Sequence, residues 1–171
     1  DPATEAPGLV RTLGGHTAPI NRLDFSPDGR WLAYVKTQKR SLYNSIYIYG
    51  VEDRKIHRVT GPHTNDNSPA WDPDGRYLYW SEDMSGGDYF EYNKDPNKQI
   101  YVIKRYEFAT GETTQLTGGP GGAARPQISP DGKMLAFVKR VRTKSTLYIH
   151  DLETGVEYPV YDALNKDQQE A

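Results

Sequence analysis

The residues best equipped for chemistry are four histidines, His16, His57, His63 and His150. No two of them have zinc-finger or zincin spacing, so structural roles are expected for all four. With no cysteine in the chain, disulfides and thiolate chemistry are excluded. The stretch "GPHTNDNSP" at 61–69 brings His63 together with Asn65, Asp66 and Asn67. Such oxygen-rich side chains suit a cation or a polar ligand. The plainer alternative is a loop whose Asx side chains cap their own backbone. No catalytic residue, metal or cofactor is expected.

A second candidate is the run "EDMSGGDYFEYNKDPNK" at 82–98. Its five acids against Lys94 and Lys98 leave it at net −3. It lacks the D-x-D-x-D-G spacing of a calcium loop. Tyr89, Phe90 and Tyr92 could face a partner, as long loops often do. Alternatively these rings pack down on the fold while the acids stay solvated. Two basic stretches, "KTQKR" at 36–40 and "KRVRTK" at 139–144, the latter with Arg140 and Arg142, complete the list.

Composition narrows the classes. The 171 residues carry a net charge of −2 and are 36% hydrophobic. That balance offers no general attraction to nucleic acid or to an anionic membrane. No apolar run approaches the roughly 18–20 residues of a membrane span. A first residue of Asp1 is what a removed leader, or a trimmed chain, would leave. Composition chooses none of cytosol, periplasm or secretion.

The elements that must position these residues are repeats. "FSPDGRWLAYV" at 25–35, "WDPDGRYLYWS" at 71–81 and "ISPDGKMLAFV" at 128–138 are one phrase written three times. In each, Ser or Asp can accept a local backbone N–H, Pro fixes φ near −65°, and Gly takes the left-handed position that closes a hairpin. A third strand follows at 45–50, 99–107 and 146–151, and a fourth at 55–60, 113–117 and 157–161. Four antiparallel strands recurring in this way predict an all-β fold, a partial β-propeller of about three four-stranded blades. The expected blades span about 20–60, 68–117 and 126–161, with a stray outer strand at 9–13 and a helix-tolerant or frayed tail at 162–171. Pro27 to Pro73 is 46 residues and Pro73 to Pro130 is 57, the excess lying in the 82–98 loop. Pro69 and Pro126 fall in first strands, which suits an inner edge lining a channel. The loop at 61–69 then lies at the channel mouth. The acidic loop and both basic stretches share one face, where they could register neighbouring blades.

These phrases resemble the WD40-like PD40 repeats of the Tol system, tricorn-type proteases and propeller-fused amidohydrolases. "HRVTGPHTNDNSPAWDPDGRYLYW" is similar to the tricorn type, and the stretch from "EYNKDPNKQIYVIKRYE" to "TLYIHDLETG" to the amidohydrolase-associated type. "LVRTLGGHTAPINRLDFSPDGRWLA" resembles an ordinary WD40 blade, with Gly15-His16 in place. The Trp-Asp pair that ends the third WD40 strand is absent: Tyr49-Gly50 and His150-Asp151 stand there. The resemblance implies no catalytic equipment here, since the His-x-His of amidohydrolases is missing. It leaves a periplasmic or extracellular parent open.

Closed propellers need about four to eight blades. Three blades would expose apolar faces at both ends. The expectation is therefore a non-catalytic scaffold that self-associates through its end blades, a dimer being favoured, or an excerpt of a longer propeller. The mixed flavour of the segments is also what a chimeric or engineered fragment would have. The alternative function is an accessory propeller of a larger hydrolase, binding a peptide or protein at the channel mouth.

Overall fold

Three Pro-Asp-Gly hairpins close as their residue types require. In the computed structural model Gly29, Gly75 and Gly132 hold φ of 69°, 67° and 72°. The side chain opening each turn accepts the backbone N–H five residues on: Ser26 Oγ from Trp31 at 2.9 Å, Asp72 Oδ1 from Tyr77 at 2.8 Å, Ser129 Oγ from Met134 at 2.9 Å. The structure describes residues 20–38, 43–84, 101–118, 122–141 and 144–166.

Each hairpin seeds a four-stranded antiparallel sheet. Blade 1 comprises β1 (Ile20–Phe25), β2 (Trp31–Thr37), β3 (Asn44–Gly50) and β4 (Ile56–Arg58). Blade 2 comprises β5 (Asn65–Trp71), β6 (Tyr77–Asp83), β7 (Tyr101–Glu107) and β8 (Thr113–Gln115). Blade 3 comprises β9 (Ala123–Ile128), β10 (Met134–Val141), β11 (Lys144–Asp151) and β12 (Glu157–Lys166). Strand order follows chain order in all three, and no helix occurs among the described residues. The all-β partial propeller is the fold.

Some boundaries differ from expectation. Residues 65–69 belong to strand β5 rather than to a loop, because they pair with β6 from Asn65↔Asp83 onward. β9 likewise starts at Ala123. Residues 162–166 are neither helix nor tail: the Lys144↔Lys166 and Ser145↔Asn165 pairings extend β12 along β11. In the basic stretch 139–144, residues 139–141 and 144 are strand as well. The 9–13 segment lies outside the described residues.

Outer strands β4 and β8 are short because a threonine takes over from the backbone. Val59 N–H donates to Ile46 O at 2.9 Å, and Ile46 N–H donates back to Thr60 Oγ1 at 2.9 Å. Blade 2 repeats this, Leu116 N–H with Ile103 O at 2.8 Å and Ile103 N–H with Thr117 Oγ1 at 2.9 Å. The hydroxyl satisfies a buried donor while the main chain turns toward the next blade.

Side chains alternate across each sheet, and the blades stack through the resulting faces. Ala33, Val35, Ile46 and Ile48 of blade 1 meet Trp71, Leu78 and Trp80 of blade 2. Tyr79 and Ile103, also of blade 2, meet Ala123, Leu135 and Phe137 of blade 3. Trp71 anchors the first interface: its N–H and Nε1–H donate to Asp24 Oδ2 and Asp24 O at 3.0 and 3.1 Å, and its ring stacks on Phe108. The middle blade is thus covered on both sides. The outward face of blade 1 leaves Leu23, Phe25 and Ile56 at 62%, 60% and 53% exposure. Blade 3 turns Met134 and Tyr158 outward, on the face opposite Leu135.

The turn after each third strand places one residue at positive φ, Gly111 at 75° and Gly155 at 73°, but Arg54 at 59° in blade 1. Left-handed backbone costs a residue with a Cβ about 1–2 kcal/mol. Arg54→Gly is therefore expected to raise the unfolding free energy by about 1 kcal/mol in chemical denaturation. Thr117→Val, which orphans the Ile103 N–H, is expected to lower it by roughly 1–3 kcal/mol in the same measurement.

Candidate functional site

The inner strand of every blade breaks register at the same place. β1 slips against β2 between Asn21 and Leu23, β5 against β6 between Asn67 and Ala70, and β9 against β10 between Ala124 and Gln127. At each slip stands a non-glycine residue at positive φ: Arg22 at 56°, Ser68 at 57°, Arg125 at 60°. These bulges re-aim side chains toward the wall that the inner strands form together. One cavity of about 440 Å³ spans the three strands and is lined by Arg22, Leu23 and Asp24 from β1, Ser68 and Pro69 from β5, and Arg125, Pro126 and Gln127 from β9. Prolines occupy this edge without cost because an edge strand has N–H groups that need no ladder partner.

The wall is held from behind. Arg125 N–H donates to Ser81 Oγ of β6 at 3.0 Å, tying the third bulge to the second blade. Asp24 on β1 is committed to the Trp71 N–H. Both arginines are exposed, and Ser68 between them is buried. The arrangement presents cationic, fork-shaped donors on a mostly uncharged wall, which suits an anionic or carbonyl-rich guest rather than bond-breaking.

The residues singled out from the sequence do not gather in one place. His63 sits exposed in a turn, its ring edge-on to Tyr43. Asn65 and Asn67 are half-buried in β5, and Asn67 Oδ1 accepts from Asn44 Nδ2 at 3.4 Å. Asp66 is fully buried, because strand alternation turns it to the face opposite its two neighbours. An open, oxygen-rich loop at the channel mouth is therefore replaced by a strand whose one carboxyl is inside. No cluster of metal-ligating side chains occurs among the described residues. Arg140 lies in β10, its backbone N–H bonded to Gly122 O at 3.1 Å. Tyr89, Phe90, Tyr92 and Arg142, like His16, lie outside the described residues. His57 stands exposed beside Trp31, and His150 is buried with Nδ1 3.4 Å from Glu157 Oε1.

Among the described residues Asp66 is the one strongly perturbed acid. Burial pushes its carboxyl up to about 7; the Thr60 and Thr64 hydroxyls oppose this, Glu82 adds to it and Lys104 subtracts. Glu82 opposite it in the ladder holds Lys104 Nζ at 2.7 Å. The cluster joins Asp66, Glu82 and Lys104 of blade 2 to Thr60, which caps the outer edge of blade 1, and includes none of the residues that line the cavity.

Four-stranded antiparallel sheets stacked face to face, with their first strands forming a common wall, define a β-propeller arc. The chain belongs to the PD40 family: the description "TolB beta propeller domain" matches it over residues 9–157. The "Tol-Pal system protein TolB" of Francisella tularensis subsp. tularensis (strain WY96-3418) is 35% identical over 130 residues, covering 72% of this chain and 27% of that protein. The "Uncharacterized peptidase YuxL" of Bacillus subtilis (strain 168) is 31% identical over 115 residues, covering 65% of this chain and 16% of that one. The crystal structure of TolB from Acinetobacter baumannii superposes with a TM-score of 0.64 at 25% identity, over 84% of this chain and 33% of that one. The chain spans a third or less of each of these relatives.

The sign of the Asp66 effect can be worked out. A carboxyl with an ordinary unfolded value of about 4 and a folded value of about 7 keeps its proton longer in the folded state. Folded protein then binds more protons than unfolded between these limits, so stability falls as pH rises through that window. Urea denaturation across the window is expected to show that decline in the wild type and a flatter profile in Asp66→Asn.

Proposed function

We propose that these three blades form part of the channel wall of a closed PD40 propeller and that their work is binding, not catalysis. The guest is a peptide-like segment lodged at the inner-strand bulges, in the service of a TolB-type or peptidase-type protein. The cavity shared by all three inner strands carries this reading: three successive left-handed bulges open onto one space. The names of the curated relatives, a Tol-Pal component and a peptidase, are consistent with it. An array of short peptides probed with the wild-type chain and with Gln127→Trp, which fills the cavity, tests it. Peptides retained by the wild type and lost by the variant support the channel; an array on which both chains bind alike removes it.

A second reading has its own observation. The outward faces of blades 1 and 3 carry the exposed Leu23, Phe25 and Ile56 at one end and Met134 and Tyr158 at the other. These are the faces that blade-on-blade packing covers elsewhere in the chain. Copies joined head to tail would cover both and continue the ring. Light scattering during size exclusion is expected to give a mass above one chain for the wild type, and a single-chain mass for Phe25→Glu. A monodisperse single chain for both proteins would remove self-association and leave the channel reading standing.

A further inference from the structure

We infer that Arg22 and Arg125 form a carboxylate-binding slot across the channel wall, with Ser68 as its floor, and that the ligand is a peptide bearing a free carboxylate. The inference rests on the channel reading and names the chemistry of its guest.

Backbone cost supplies the first argument. A left-handed φ is easy for glycine and tolerable for asparagine, but costs other residues about 1–2 kcal/mol. Of the six described turn positions with positive φ, five hold glycine, Gly29, Gly75, Gly111, Gly132 and Gly155, and one holds Arg54. At the three inner-strand bulges none holds glycine. Two of the three carry arginine, and Ser68 and Arg125 stand immediately before a proline, which narrows their backbone further. Strain kept at matching positions that face one cavity is a mark of a site.

Electrostatics supplies the second. Among the described residues, neither the Arg22 nor the Arg125 guanidinium has an ion-pair partner, although Arg76, Lys104 and Lys139 all do. Asp24, the one acid among the residues that line the cavity, already accepts the Trp71 N–H at 3.0 Å. Two guanidinium forks with no ion-pair partner among the described residues therefore line one cavity together with a small hydroxyl-bearing residue. Guanidinium matches a carboxylate with two parallel N–H···O bonds, and a serine hydroxyl adds a neutral donor. The flanking Pro69 and Pro126 bring no N–H and no charge to compete.

Fluorescence anisotropy with a neutral dye on four tetrapeptides decides the matter: Gly-Ser-Glu-Glu and Gly-Ser-Gln-Gln, each as free acid and as C-terminal amide. The Gly-Ser-Glu-Glu acid is expected to bind and the Gly-Ser-Gln-Gln amide not. The two mixed peptides tell a terminal from a side-chain carboxylate. Arg22→Gly and Arg125→Gly are each expected to weaken binding about tenfold to a hundredfold, the worth of a charge-assisted bond. Glycine relieves the left-handed backbone, so both variants should melt at or above the wild-type temperature. Loss of stability together with binding would make the arginines structural and overturn the slot. Equal binding of all four peptides, undisturbed by the arginine variants but lost in Gln127→Trp, would overturn the slot and keep the channel. No binding by any peptide would overturn both.

Discussion

Coverage of sheet faces is the constraint on which this structure depends. A blade has little core of its own: most of its apolar side chains point out of its two faces and are covered by the blade that lies against them. Blade 2 has this on both sides, through Leu78 and Trp80 toward blade 1 and Tyr79 toward blade 3. The geometry of the channel wall follows from that stacking, because the inner strands converge only where the faces are in contact. The Asp24–Trp71 bonds fix β1 against β5, and the Ser81–Arg125 bond fixes β9 against β6 behind the wall, so a site on the wall inherits the rigidity of the interfaces behind it.

The repeated turn also shows how chemistry varies within a fixed geometry. Ser26 and Ser129 donate to Asp28 and Asp131, holding those carboxyls below the usual range. In blade 2 an acid, Asp72, replaces the serine, so no hydroxyl is left to donate to Asp74. Burial, with Asp74 nearby, raises the Asp72 carboxyl instead. The backbone angle at the glycine barely changes, 69° against 67°. Shape is held by Pro and Gly, and the first position needs only an oxygen that accepts.

Much of this was legible from residue types alone. Pro-Asp-Gly announces its hairpin because Pro and Gly act through their own backbone limits, and Pro69 and Pro126 marked the inner edge for the same reason. The bulges were not legible. Arg22, Ser68 and Arg125 have no intrinsic preference for positive φ, so nothing local announces them. What could have found them is the three-way alignment itself, which sets these residues in one column, each four positions before the Ser or Asp that opens the hairpin turn. Asn65-Asp66-Asn67 read as a turn because those residues favour turns, yet pairing with β6 overrides that propensity. Thr60 and Thr117 passed as ordinary strand residues, although each is followed by glycine and each completes a buried hydrogen bond.

Those two threonines have an implication for how such chains grow. Because the hydroxyl finishes the outer ladder before the main chain departs, each sheet leaves behind no half-made pairing that the following segment must complete. The stretch from one threonine to the next is a self-contained cassette, and its duplication or deletion changes the number of sheets without breaking a bond inside any of them. Blade 3 closes differently: its last strand stays paired with the third as far as Lys166.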